Sequence, residues 1–240
     1  MITTPATLKT TFAKFCFWFV VVAIFTFAEK GRASDYPPPA RESIEWCDIW
    51  ISHANETNLP RVLLIGDSIT RAYYPDVEKR LAGKAYVGRL ASSAFVSDPA
   101  LLMQIKMVLS QYKFDVIHFN NGMHGWQHSE KEYEEALPEY LKIIREGAPN
   151  AKLIWANMTP LKVSPASSEN FTIATDDRIA QRNTIAAKFM QDQGIPVEDL
   201  NTPMQGHPEY HEDNVHYNDR GITVQAQLVA ADVEKLLSQP

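Results

Sequence analysis

Cysteine is almost missing from this 240-residue chain, which contains only two. Cys16 falls in an apolar stretch near the start, and Cys47 is alone in the rest of the chain. An intrachain disulfide in the mature protein is therefore excluded, and a hydrophobic core must hold the fold. A lone cysteine of this kind reads as a small buried hydrophobe. Basic charge is also in deficit, with 23 Lys and Arg against 29 Asp and Glu for a net charge of -6. With no basic stripe, nucleic acid is excluded as a partner. No apolar run reaches the ~20 residues that span a bilayer as a helix. Internal repeats and low-complexity tracts are missing too, and the 15 prolines are scattered rather than gathered into a linker.

What is present begins with a leader. Lys9 and Lys14 precede an apolar run from Phe15 to Ala28, and Gly31 and Ala33 stand as a small-residue cleavage site before Ser34. This predicts a secretory signal peptide over residues 1–33, with cleavage after Ala28 as the second choice. The mature chain, residues 34–240, is then one domain without a membrane span, secreted or periplasmic. N-x-[ST] sequons stand at Asn55, Asn157 and Asn170 and matter only in a host that glycosylates.

Along the mature chain, strand and helix patterns alternate. Arg41 to about His53 reads as an amphipathic helix. The apolar run Arg61 to Gly66 is the strongest strand, short, continuous and ended by glycine. A helix is predicted over Pro75 to Leu81 and a weak strand at Ala85 to Val87. Pro99 to Tyr112 reads as a helix, with Met103 and Met107 taken as core. Then follow a strand at Asp115 to Phe119, a helix at Ser129 to Arg145 with a solvated Glu/Lys face, and a strand at Ala151 to Ala156. A helix at Asp176 to Gln193, a strand at Ile195 to Val197 and a helix at Gly221 to Leu237 complete the chain. Such alternation predicts an α/β fold with a parallel sheet covered on both faces. Ligands of such sheets bind beyond the carboxyl ends of the strands, so residues just after strands are the first candidates.

Two such places carry chemistry. Gly66, Asp67, Ser68 and Ile69 follow the best strand. A nucleophilic serine needs a sharp strand-to-helix turn, which Gly66 permits, and the N–H groups of the next helix can bind an oxyanion. A Gly-Asp-Ser turn is also ordinary loop chemistry. Near the C-terminus, Asp213 and His216 are spaced to meet on one local turn, as a base and the carboxylate that orients it. Either place alone has a bland explanation; the two together make a Ser-His-Asp constellation.

A Gly-Asp-Ser after the first core strand, paired with Asp-x-x-His before the final helix, resembles the SGNH (GDSL-like) hydrolase superfamily over roughly Arg61 to Leu237. Arg178 to Asn183 and Gly194 to Leu200 look like the late helix and strand of such enzymes. The resemblance implies a flavodoxin-like three-layer α/β/α sandwich with a central parallel sheet. It implies Ser68 as nucleophile, His216 as general base and Asp213 as its orienting carboxylate, with no cofactor and no metal. Ser68, His124 and Asn120 become the candidate oxyanion hole.

Two departures accompany the resemblance. The family carries Gly-x-Asn-Asp after a central strand, its asparagine donating to the oxyanion. Here the register gives Gly122, Met123, His124 and Gly125, so His124 stands in the asparagine's place; Phe119 to His124 resembles a subset of the superfamily with histidine there. Asn120 is a second donor or a support for His124, and turn chemistry explains Asn120 and Asn121 equally well. The family's other glycine, whose N–H completes the oxyanion hole, has no counterpart. Gly88 falls too early, and the register lands on Ser93 to Phe95, where a backbone N–H can still serve.

Other residues have competing readings. His207, His211 and His216 lie near Glu209, Glu212 and Asp213, but their spacing matches no helix-borne zinc motif and Pro208 disfavours a helix. His207 and His211 are expected at the pocket rim or in solvent. Trp126 is placed at the pocket edge, with a core position as the alternative. The expected activity is an exported serine esterase acting on small-acyl esters, acetyl esters of carbohydrate in particular, that last step resting on analogy with exported members of the superfamily. Acyl transfer to a sugar, a lipase or thioesterase, and a silent carbohydrate-binding protein are the alternatives. The intact triad residues speak against the silent protein, and the altered oxyanion signatures speak for it.

Overall fold

Five of the six residues Arg61 to Gly66 are apolar or glycine, and all six are buried, as a strand covered on both faces requires. Around it the chain builds the rest of the sheet. The computed structural model describes Met1 and residues 40–163 and 173–239. Its elements, in order, are β1 (Cys47–Ile51), β2 (Arg61–Gly66), α1 (Ser68–Arg80), β3 (Tyr86–Ser92), α2 (Pro99–Gln111), β4 (Val116–Phe119), α3 (Glu130–Gly147), β5 (Lys152–Ala156), α4 (Asp176–Asp192), β6 (Val197–Glu198) and α5 (Asp219–Leu237). The predicted signal peptide and the Asn170 sequon lie outside the described residues.

The strands form one sheet in the order β1-β3-β2-β4-β5-β6. β3, β2, β4, β5 and β6 run parallel, which is the expected flavodoxin-like arrangement. Alternate residues of the strands feed opposite cores. Val62 and Leu64 join residues of α1 and α5, while Leu63 and Ile65 join residues of α2, α3 and α4. Chain order reverses between β2 and β4, and the crevice at their carboxyl ends is the place such folds reserve for ligands. Each helix starts on a side-chain cap: Asp67, Asp98, Ser129, Thr175 and Asn218 accept from backbone N–H groups of the first turn.

Four expectations are corrected. Arg41 to His53 is not a helix; its centre is β1, an edge strand antiparallel to β3 with Cys47 opposite Ser92 and Ile51 opposite Gly88. A short amphipathic run is ambiguous in sequence, and here the open edge of β3 supplied hydrogen bonds that a surface helix would forgo. α1 begins at Ser68, not Pro75; Pro75 sits inside it. Met103 and Met107 are exposed, because the buried stripe of α2 is Leu101, Ile105, Val108 and Leu109. Cys47 is exposed rather than buried. The other boundaries move by five residues or fewer, the largest shift being the end of β3 at Ser92 where Val87 was expected.

Candidate active site

The turn from β2 into α1 is built around the lack of a side chain at Gly66. A Cβ there would lie 2.1 Å from Thr70 Oγ1 and 2.7 Å from Asn120 Oδ1, so the chain can pass only as glycine. Asp67 follows as the N-cap, its carboxylate accepting the Ile69 N–H at 2.9 Å. Ser68 is thus the first residue of the helix, where the backbone N–H has no intrahelical acceptor and the helix dipole favours negative charge.

His216 reaches Ser68 from the loop before α5. The Ser68 hydroxyl and His216 Nε2 are 2.8 Å apart. On the other side of the ring, Nδ1 lies 2.8 Å from Asp213 Oδ2. Asp213 Oδ1 accepts two backbone N–H groups, from Val215 and His216, each at 2.7 Å. Burial works against the charge of Asp213, but these hydrogen bonds outweigh it and hold its pKa at about 2. The loop itself is pinned. Glu212 N–H donates to the His216 carbonyl, and Lys162 and Val163 N–H groups donate to Asn214. Asn218 caps α5 immediately after. A serine activated by a base, itself oriented by a carboxylate, can attack an acyl carbon without any cofactor.

The three histidines of the alternative cluster do not converge on one point. His216 serves Ser68, His207 pairs with Glu209 at 2.9 Å, and His211 packs on the Tyr217 ring. His211 is buried, not at the rim as expected, and burial together with Lys162 lowers its pKa.

The opposite wall follows β4, beside β2. Asn120 is buried, its N–H bonds to the Ile65 carbonyl, and its Oδ1, an acceptor that faces Gly66, has no partner among the described residues. An oxyanion can take a hydrogen bond from this side chain only through its Nδ2. Asn121 instead ties the wall to its neighbour, donating to the Ala94 carbonyl at 3.0 Å. His124 holds Nδ1 at 2.9 Å from Glu42 Oε2, and its Nε2 has no protein partner among the described residues. In the Ser93 to Phe95 loop, Ser93 N–H donates to the Trp46 carbonyl and Ala94 N–H to Ser92 Oγ, leaving the Phe95 N–H without an acceptor among the described residues. Gly88 is inside β3, paired with β1, and plays no part.

Sequence reasoning missed the residue that fixes this wall. Arg182, fully buried on α4, donates to the carbonyls of Gly122, His124, Gly125 and His128 at 2.7–3.1 Å. Its guanidinium lies 4.1 Å from the Trp126 ring centre, and burial lowers its pKa to about 10. Trp126, on whose ring Arg178 also lies, is buried in this stack and not at the pocket edge. Gly125 meets Phe95 so closely, and at φ 69°, that no other residue fits. The only sequence signal for Arg182 was an arginine at the core-facing spacing of α4.

Residues 64–223 match the model of the GDSL-like lipase/acylhydrolase family. No curated protein sequence matches the chain. Solved structures share its fold. A GDSL-like lipase from Bacteroides thetaiotaomicron VPI-5482 is 16% identical with a TM-score of 0.58, over 73% of this chain and 88% of that one. An acetyl xylan esterase is 20% identical with a TM-score of 0.58, over 72% of this chain and 99% of that one. A carbohydrate esterase family 3 protein from Talaromyces cellulolyticus is 18% identical with a TM-score of 0.58, over 75% and 98%.

Proposed function

The chain belongs to the GDSL-like lipase/acylhydrolase family and is an ester-hydrolysing enzyme, and on that premise we propose that it is an exported serine esterase with Ser68, His216 and Asp213 as its triad. The observation that carries the triad is the unbroken line from Ser68 Oγ through the His216 ring to Asp213, each link 2.8 Å, starting at a helix N-terminus. Ser68 attacks the ester carbonyl as its proton passes to His216 Nε2. Asp213 holds the Nδ1–H and stabilises the imidazolium. The oxyanion meets the Ser68 N–H, the Asn120 amide and His124. His216 then protonates the departing alcohol, and water, deprotonated by the same ring, releases the acid.

The substrate class we propose is a small-acyl ester of a carbohydrate, acetyl above all. Its support is the fold shared with an acetyl xylan esterase and a carbohydrate esterase family 3 protein. The test is hydrolysis of nitrophenyl esters of graded acyl length by the protein and by Ser68→Ala. Turnover confined to acetyl and propionyl esters and lost in Ser68→Ala, with fluorophosphonate labelling of Ser68, is the expected result. Equal rates in both proteins would remove Ser68 from the mechanism, and preference for long acyl chains would point to a lipase.

A further inference from the structure

Residues 41–46 form a strap leading into β1, and their polar contacts beyond the strap fall on the end of β3 and on the loops after β3 and β4. Arg41 pairs with Asp98 at 3.1 Å, Glu45 accepts from Ser93 Oγ at 2.8 Å, and Trp46 N–H donates to Ser93 Oγ at 2.9 Å. Glu42 reaches furthest into the site. One carboxylate oxygen is 2.9 Å from His124 Nδ1, and the other accepts the Gly125 N–H at 3.0 Å.

The chemistry of that contact is restrictive. A carboxylate against Nδ1 demands the proton there. A neutral imidazole with its one proton on Nδ1 presents a bare lone pair at Nε2, which repels an oxyanion. His124 can donate from Nε2 only as an imidazolium. An imidazolium donor is charge-assisted and stronger than an amide. We propose that Glu42 is the positioning residue that keeps His124 an imidazolium, so that its Nε2–H donates to the oxyanion where the family carries an uncharged asparagine.

The surroundings favour that state. Burial alone draws His124 toward neutrality, but the hydrogen bond from Glu42 and the charges of Asp67, Glu42 and Glu45 outweigh it, and the pKa rises above the ordinary histidine value. Around the ring stand Glu42 and Glu45 of the strap, Asp67 of the β2–α1 turn, and the edge of Trp46 at 6.3 Å. The nearby cations are engaged elsewhere: Arg71 lies over Trp46 and Arg182 holds the His124 carbonyl. Glu42 is itself held below the usual carboxylate range: burial opposes this, but His124 and the Gly125 N–H outweigh it. The pair therefore stays charged on both sides. Catalysis then has two opposite demands, His216 neutral and His124 protonated, and the alkaline limb of activity belongs to His124.

This rests on Ser68 as nucleophile, and the experiment keeps the two apart. Ring nitrogen shifts of labelled protein are followed against pH by NMR, with His124 assigned by its loss in His124→Asn. His124 is expected to stay protonated to higher pH than a free histidine, and to titrate about one unit lower in Glu42→Gln, a tenfold loss of proton affinity. The amide introduced by that substitution can keep the Gly125 bond through its carbonyl. In kcat/KM on a neutral short-chain ester, the alkaline limb should move the same way in Glu42→Gln and vanish in His124→Asn, whose amide donates at any pH. A His124 that titrates at or below the ordinary value, or a shared alkaline limb in wild type and Glu42→Gln, overturns the proposal. Failure of Ser68 to take a fluorophosphonate would overturn the esterase reading and with it the donor role, while the ring titration fails only if Glu42 does not hold the proton.

Discussion

At Asp213 a carboxylate with a pKa of about 2 remains ionised across any working pH, so it stays the charged partner of the His216 ring. Asp213→Asn should therefore leave the fold intact and cut kcat by about 10³–10⁴, because an amide no longer enforces the right tautomer; steady-state rates with unchanged thermal melting check this. Asn120 offers the complementary case. Its Oδ1 is buried without a partner among the described residues, and its Nδ2 is the group that an oxyanion can use. Asn120→Ala should lower kcat by about 10²-fold, with KM and the melting temperature nearly unchanged, since only a transition-state contact is lost; an equal fall in stability would make Asn120 structural instead. Ser68, Asp213 and His216 were legible because each lies in a short local pattern. His124 was legible only through the register of the strand before it. Glu42 was not legible, since its partner is 82 residues away and nothing local marks it.

At the scale of elements, the loop from Gly122 to His128 has little regular structure, yet four of its carbonyls converge on one guanidinium. That makes α4 the frame of the proposed oxyanion wall. Arg182→Met should destabilise the protein by about 3–5 kcal/mol, as removal of one member of a buried charged network does. It should also cost activity beyond the loss of folded protein, read as a fall in kcat per active site titrated. Helices with a clean buried stripe were legible to within a residue or two, as α3 and α4 show. Errors came where period and packing diverge. The pattern of residues 41–53 fits a helix and a strand alike, and only the vacant edge of β3 decides between them. The methionines of α2 are apolar at helical spacing, but they lie off the face that Ile105 and Leu109 set.

For the whole molecule, the parallel sheet was readable from alternation alone, and the site sits where β2 and β4 diverge, as the strand order requires. The antiparallel strand β1 was not, because it depends on a pairing that no local pattern encodes. The proposal of export belongs at this scale too. Protein recovered from a bacterial periplasm or culture medium should begin at Ser34 by N-terminal sequencing; recovery only in the cytosol with Met1 retained would end it. Among the described residues the one thiol, Cys47, is exposed and stands opposite Ser92 at the end of the sheet that carries the candidate site, next to Trp46 of the strap. Partial burial and the neighbouring Asp48 disfavour its thiolate, so it should couple slowly to maleimides at neutral pH and more readily in alkali. Once coupled, a fluorophore there would report optically from the edge strand of the sheet that carries the candidate site, its emission changing as ester enters and acid leaves.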